Sequence, residues 1–144
     1  MDDAAIQQAI WRLKAESFLA LDEKRWDDFA ACFTEDARIA YSKASTEPIP
    51  PIPSIPAYID FARAFIGAAK TVHQGATPII DIVSPKRAKA VWRMEDVIIY
   101  PPESGVPSRH DFGIYNDEYV RTKAGWRISA LSFTLLLCLP IPSL

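Results

Sequence analysis

Hydrophobic positions along the chain change period once, from helical to alternating. Ile6, Ile10, Leu13, Ser17 and Leu21 recur at helical spacing, which predicts an amphipathic helix over about residues 4 to 21 with one hydroxyl in its apolar stripe. A second helix carries Trp26, Phe29, Ala30 and Phe33, with Asp27 and Asp28 in its first turn, where carboxylates complement the helix dipole. Thr34, Glu35 and Asp36 are expected to end it, before a short strand from Arg38 to Ser42. Residues 44 to 56 hold five of the twelve prolines, which disfavours ladder pairing and predicts a stiff, irregular flap. Ser54 then caps a third helix with Pro56 in its first turn and Tyr58, Ile59, Ala62, Phe65 and Ile66 on the buried side.

From Thr71 onward the segments 72 to 83, 88 to 100, 111 to 122 and 126 to 137 are rich in β-branched and aromatic residues. Ser-Pro-Lys, Pro-Pro-Glu-Ser-Gly and Thr-Lys-Ala-Gly separate them as turns. Three helices followed by a four-stranded meander imply an α+β fold. The expected form is a cone-shaped barrel, with the helices packed in a curved, mostly antiparallel sheet that encloses a pocket. Alternation places Ala90, Trp92, Met94, Asp96, Ile98 and Tyr100 on one face, so Asp96 should point inward among apolar neighbours. Ser129, Leu131, Phe133, Leu135 and Leu137 form a second apolar face on the last strand.

Composition narrows the function classes. With 144 residues, 49% hydrophobic and 24% charged, the chain suits one domain with one core. A net charge of -2 without basic patches argues against nucleic acid or an anionic membrane as partner, and favours a small hydrophobic substrate. The acidic start lacks a signal-like apolar segment, and no apolar run reaches the roughly 18 residues of a membrane span, so a cytoplasmic protein is expected. Cys32 and Cys138 fit no metal or redox spacing. The apolar tail FTLLLCLPIPSL suggests pocket closure or a homo-oligomer, dimer or trimer.

Three polar residues, Asp22, His73 and Asp96, stand at positions otherwise typical of a buried face. Buried polar groups are costly unless paired, so the trio is either a structural network or a site. A neutral imidazole, with an ordinary pKa of about 6.5, accepts a proton at physiological pH. A carboxylate on its other nitrogen fixes the tautomer and stabilises the imidazolium. His73 is thus a candidate base and Asp22 its orienter. Removal of a proton beside a carbonyl creates an enolate, which needs a donor such as Tyr41 or a protonated Asp96.

The pieces AIWRLKAESFLALDEKRWDDFAACFTEDA, TVHQGATPIIDIV, AVWRMEDVIIYPP and YNDEYVRTKAGWRISAL resemble the SnoaL-like branch of the nuclear-transport-factor-like superfamily. The resemblance spans nearly the whole chain apart from the flap and the tail. It implies the cone-shaped α+β barrel, and a site like those of the bile-acid and scytalone dehydratases. In those enzymes an Asp at the position of Asp22 pairs with a His at the position of His73. Asp96 matches an active-site Asp of the bile-acid enzyme, and Tyr41 a tyrosine of both. The chain departs from them at Ser17 and Leu21, where tyrosines stand in the bile-acid and scytalone enzymes respectively. It also departs at Leu135, where the bile-acid enzyme has an arginine. That substitution suggests a neutral aromatic or polycyclic ligand.

The expected catalytic set is therefore His73, Asp22, Asp96 and Tyr41, with Ser17, Phe18, Tyr58, Trp92, Tyr115, Phe133 and Leu135 as substrate contacts and neither metal nor cofactor. Asp22 has an alternative role as a cap of the second helix, and Asp96 as a buried anchor. Tyr115, Asp117, Tyr119 and Arg121 share a strand face that is either a pocket wall or a solvated or subunit-contacting ladder. The leading function is a dehydratase. An isomerase, a cyclase, a C-C lyase, a non-catalytic binder or a dioxygenase small subunit stand as alternatives.

Overall fold

A computed structural model describes residues 2–43 and 49–142. The order is α1 (Asp3–Asp22), α2 (Trp26–Ala31), β1 (Phe33–Lys43), α3 (Ile55–Ile66), β2 (Lys70–Ser84), β3 (Arg87–Ile99), β4 (Arg109–Thr122) and β5 (Gly125–Pro140). The strands form one open sheet in the order β1-β5-β4-β3-β2, antiparallel except where β1 runs parallel to β5. This is the expected α+β arrangement, with β1 added to the far side of the meander. Among the described residues no helix is long and apolar enough to cross a membrane.

Local chemistry explains the elements. Asp2 caps α1 by accepting the Ala5 amide, and Ile6, Ile10, Leu13, Ser17 and Leu21 are all buried, as the stripe requires. Ser54 caps α3 through the Ala57 amide. The second helix is shorter than expected. It stops at Ala31, because the Ile128 amide takes the Cys32 carbonyl and Phe33 already pairs with Ile128 on β5. Thr34 to Asp36 therefore lie in β1, in an irregularity between Phe33 and Arg38, rather than ending a helix. Part of the proline-rich flap, residues 44–48, lies outside the described residues. Beyond it Ile52 makes one bridge to Ile39, so the flap does touch the sheet between its prolines.

Inward positions on β3 follow strict alternation, with Ala88, Ala90, Trp92, Met94, Asp96 and Ile98 all buried. On β5 the alternation breaks twice. Glu118 and Tyr119 pair with Ala130 and Ile128, leaving Ser129 as an extra residue. Phe112 and Gly113 pair with Leu137 and Leu135, leaving Leu136 extra. Each such bulge moves the following side chains to the other face. Trp126 and Ile128 are consequently inward before the first, and Leu131 and Phe133 after it. Leu137 falls on the outer face and is exposed, so the expected single face from Ser129 to Leu137 is corrected at both ends.

Candidate active site

The sheet register assembles the site. His73 on β2 lies directly opposite Asp96 on β3, and Asp96 directly opposite Asp111 on β4. Three polar side chains thus form a row across the concave face, one strand apart. Asp22, the last residue of α1, reaches this row from above. His73 Nδ1 lies 2.6 Å from Asp22 Oδ1, and the His73 amide donates to Oδ2 at 2.9 Å. The Thr71 hydroxyl donates to Oδ1 at 2.8 Å, and Lys24 Nζ donates to the Thr71 oxygen at 2.9 Å. Asp22 does not cap α2, whose N-cap, Arg25, makes no side-chain capping bond. Its carboxylate is committed to His73.

With the Nδ1 proton directed at Asp22, Nε2 carries the lone pair. Nε2 stands 3.6 Å from Asp96 Oδ2, beyond a hydrogen bond, and Asp96 Oδ1 has no partner among the described residues. Burial raises the Asp96 carboxyl to about 6; His73 opposes the shift and neighbouring Asp111 adds to it. The carboxyl therefore carries its proton over part of the near-neutral range. Phe18 stacks behind the His73 ring, 5.9 Å between centroids and 14° between planes. Gly75 permits this, since a Cβ there would come within 2.8 Å of the Phe18 ring.

His73 and Asp96 open onto a cavity of about 280 Å³ with mainly apolar walls. Leu21, Ile49, Phe61, Phe65, Ile66, Phe133 and Leu135 supply much of that wall. Tyr41, Tyr58 and Tyr115 line it from three different elements. The Tyr41 and Tyr58 hydroxyls are 2.6 Å apart, and burial pushes Tyr41 up to about 12 and the other two well above the ordinary tyrosine value. These phenols keep their protons and act as donors. Phe133 packs against Gly113, where a Cβ would come within 2.4 Å of its ring and 2.7 Å of the Thr134 carbonyl oxygen.

Tyr41, Tyr58, Tyr115, Phe133 and Leu135 reach the cavity as expected, and three other expected contacts do not. Ser17 is buried, and its hydroxyl donates to the Lys14 carbonyl within its own helix. Trp92 is buried behind the wall and donates its indole N–H to the Tyr119 hydroxyl. Phe18 supports His73 from the side away from the cavity and, with Trp92, lines a shallower crevice between α1 and β2. Face alternation tells which way a side chain points but not how deep it lies.

The tyrosine-bearing face of β4 is buried: Tyr115, Asp117 and Tyr119 are each 5% exposed or less, which excludes the solvated ladder at those positions. Asp117 is held by Lys14, a residue the sequence reading missed. Lys14 Nζ lies 2.7 Å from Asp117 Oδ2 and 3.7 Å from the centre of the Tyr115 ring. Arg109 and Asp111 were missed as well, although alternation backward from Tyr115 marks both as inward. Among the described residues no cluster of three or more His, Cys, Asp and Glu side chains has metal-binding geometry.

Comparison with known proteins agrees with this architecture. Searching the curated proteins gives no match. Among solved structures, a candidate scytalone dehydratase from Novosphingobium aromaticivorans superposes with a TM-score of 0.84 at 22% identity, covering 99% of this chain and 91% of that one. A hexachlorocyclohexane dehydrochlorinase from Novosphingobium barchaimii gives 0.79 at 17% identity, with coverages of 98% and 93%. ActVI-ORFA from Streptomyces coelicolor gives 0.70 at 16% identity, with coverages of 90% and 97%. At these identities the likeness shows a shared fold. The SnoaL-like domain matches residues 2–132, and the chain belongs to that family.

Proposed function

We propose that the protein is a cofactor-free lyase that dehydrates a hydrophobic aromatic or polycyclic hydroxy compound. One observation carries the reading: an Asp22-oriented imidazole and a second, unpaired carboxyl share an apolar cavity. A scaffold has no use for this pairing, and a passive binder of apolar ligands needs no polar group of the kind. The fold neighbours include a candidate scytalone dehydratase and a dehydrochlorinase, which is consistent with elimination chemistry on this scaffold.

His73 Nε2 takes the proton from the carbon beside the ligand's carbonyl, and Asp22 stabilises the imidazolium that forms. Negative charge moves to the carbonyl oxygen, where Tyr41, backed by Tyr58, donates a hydrogen bond. Protonated Asp96 is a further donor. The imidazolium then returns its proton to the departing hydroxyl. Bond formation and cleavage balance as an enone, or an aromatised ring, plus one water.

The test is to incubate the protein and its His73→Ala variant with hydrophobic β-hydroxy ketones, polycyclic alcohols and aryl diols, and to read product masses. A His73-dependent loss of one water is the expected result. Unchanged masses across ligands that demonstrably bind would overturn it. A change of retention time at constant mass would instead identify an isomerase built on the same shuttle.

A further inference from the structure

The cavity carries a polar pair that the proton-transfer scheme leaves unused. At its mouth Arg109 grips Asp111 with one edge of its guanidinium. Nε lies 3.0 and 2.7 Å from the two carboxylate oxygens, and Nη2 lies 2.7 Å from Oδ2. Asp111 is 3% exposed, so it holds that edge from inside the wall. The guanidinium also lies over the Phe65 ring, 5.4 Å from its centre. Both partners line the cavity, and the remaining edge of Arg109 has no acceptor among the described residues. Lys43, at the end of β1, lines the same cavity.

A partly buried ion pair is weak evidence for stability, because apolar groups of similar volume often serve as well. An arginine pinned along one edge keeps the other available in fixed orientation, which suits a planar carboxylate. Arg109 and Lys43 outnumber Asp111 at this end of the cavity, and Asp96 balances the excess only where it is ionised. The expectation of a neutral ligand rested on Leu135, but β4 brings a guanidinium to this cavity from a different strand.

We propose that the free edge of Arg109, assisted by Lys43, anchors a carboxylate on the ligand while its reacting carbon lies at His73. This deepens the lyase reading and rests on it for the position of the reacting end. His73 and Asp111 are two strand spacings apart across the sheet, or roughly 10 Å. The ligand class is therefore an elongated aromatic or polycyclic hydroxy acid whose carboxylate and reacting carbon lie at opposite ends of the ring system.

The test uses a matched pair of probes, naphthalene acetate and naphthalene acetamide, titrated calorimetrically without turnover. The wild-type protein is expected to bind the carboxylate at least about tenfold more tightly than the amide, with the preference shrinking as salt is raised. Arg109→Gln should abolish the preference and leave amide affinity within about twofold; Lys43→Gln should reduce the preference severalfold. Because Arg109→Gln strands a buried carboxylate, the double variant Arg109→Gln/Asp111→Asn provides a neutral mouth, and it too should show no preference. Equal affinity for both probes in the wild type, binding of neither, or a preference that survives in the folded double variant would overturn the proposal. His73→Ala should keep the preference while losing turnover. Failure of the anchor is thereby distinguished from failure of the lyase reading.

Discussion

Two buried polar networks lie side by side in this molecule, and they differ in one respect that matters. Lys14, Asp117, Tyr119 and Trp92 form a chain with bonds of 2.7, 2.8 and 3.0 Å, sealed between α1 and the sheet. Asp22, His73 and Asp96 form the other, with a tight bond on one side of the imidazole, a 3.6 Å gap on the other and a cavity beyond. The sealed network pairs its two charges with each other through Asp117 Oδ2, and although Asp117 Oδ1 has no partner among the described residues, no residue of the network lines the cavity. The open one leaves the outer imidazole nitrogen without a hydrogen bond, and both His73 and Asp96 line a cavity. Burial alone does not mark a site; burial with spare valence facing a cavity does.

The contrast can be broken from either side. His73→Ala should lower turnover by about two to four orders of magnitude, as loss of a general base does, a loss that outweighs its cost of about 1–3 kcal/mol in stability, which a denaturation scan reads. Lys14→Met should do the reverse. It strands the Asp117 charge in the core and should cost about 3–5 kcal/mol in denaturant unfolding, whereas Lys14→Met/Asp117→Leu should recover most of that loss.

Asp96 gives a subtler test. Its carboxyl rises from an ordinary 3.8 to about 6 on folding, so the native state holds this proton more tightly than the unfolded chain. The resulting stabilisation is complete below about pH 4 and is lost as pH rises through 6, a change of about 3 kcal/mol at most. Asp96→Asn should flatten that segment of the stability profile. It should also remove the decline in turnover expected as the carboxyl ionises above about pH 6, because the amide keeps a donor at every pH; an unaltered rate profile would remove Asp96 from the mechanism. The smallest effect belongs to Thr71→Val, which deprives Asp22 of one of its donors. It should lower turnover severalfold and cost about 1 kcal/mol.

The open network was easier to read in the sequence than the sealed one. Asp96 interrupts an otherwise apolar alternating strand, and the helical stripe reliably places Leu21 and hence the end of α1. Lys14 was invisible, because a lysine beside an apolar stripe reads as a solvated edge until a distant strand is seen to supply Asp117, 103 residues away. The bulges at Ser129 and Leu136 were equally hidden, since an extra residue becomes evident only from the partner strand's register. Trp92 shares the face of Asp96 but is fully buried and bonded to Tyr119. Arg109 follows the inward alternation of β4, yet an arginine near a turn reads first as a surface residue.

Gly113 and Phe133 are sterically coupled positions. The ring can keep its position against the sheet only while position 113 carries a hydrogen where any other residue would put carbon. Because the displaced atoms would include the Thr134 carbonyl as well as the ring, turning the phenylalanine alone offers no escape. This stretch of the wall can therefore be resized at 133 but not at 113, where the backbone of β5 would still stand in the way after the ring had gone.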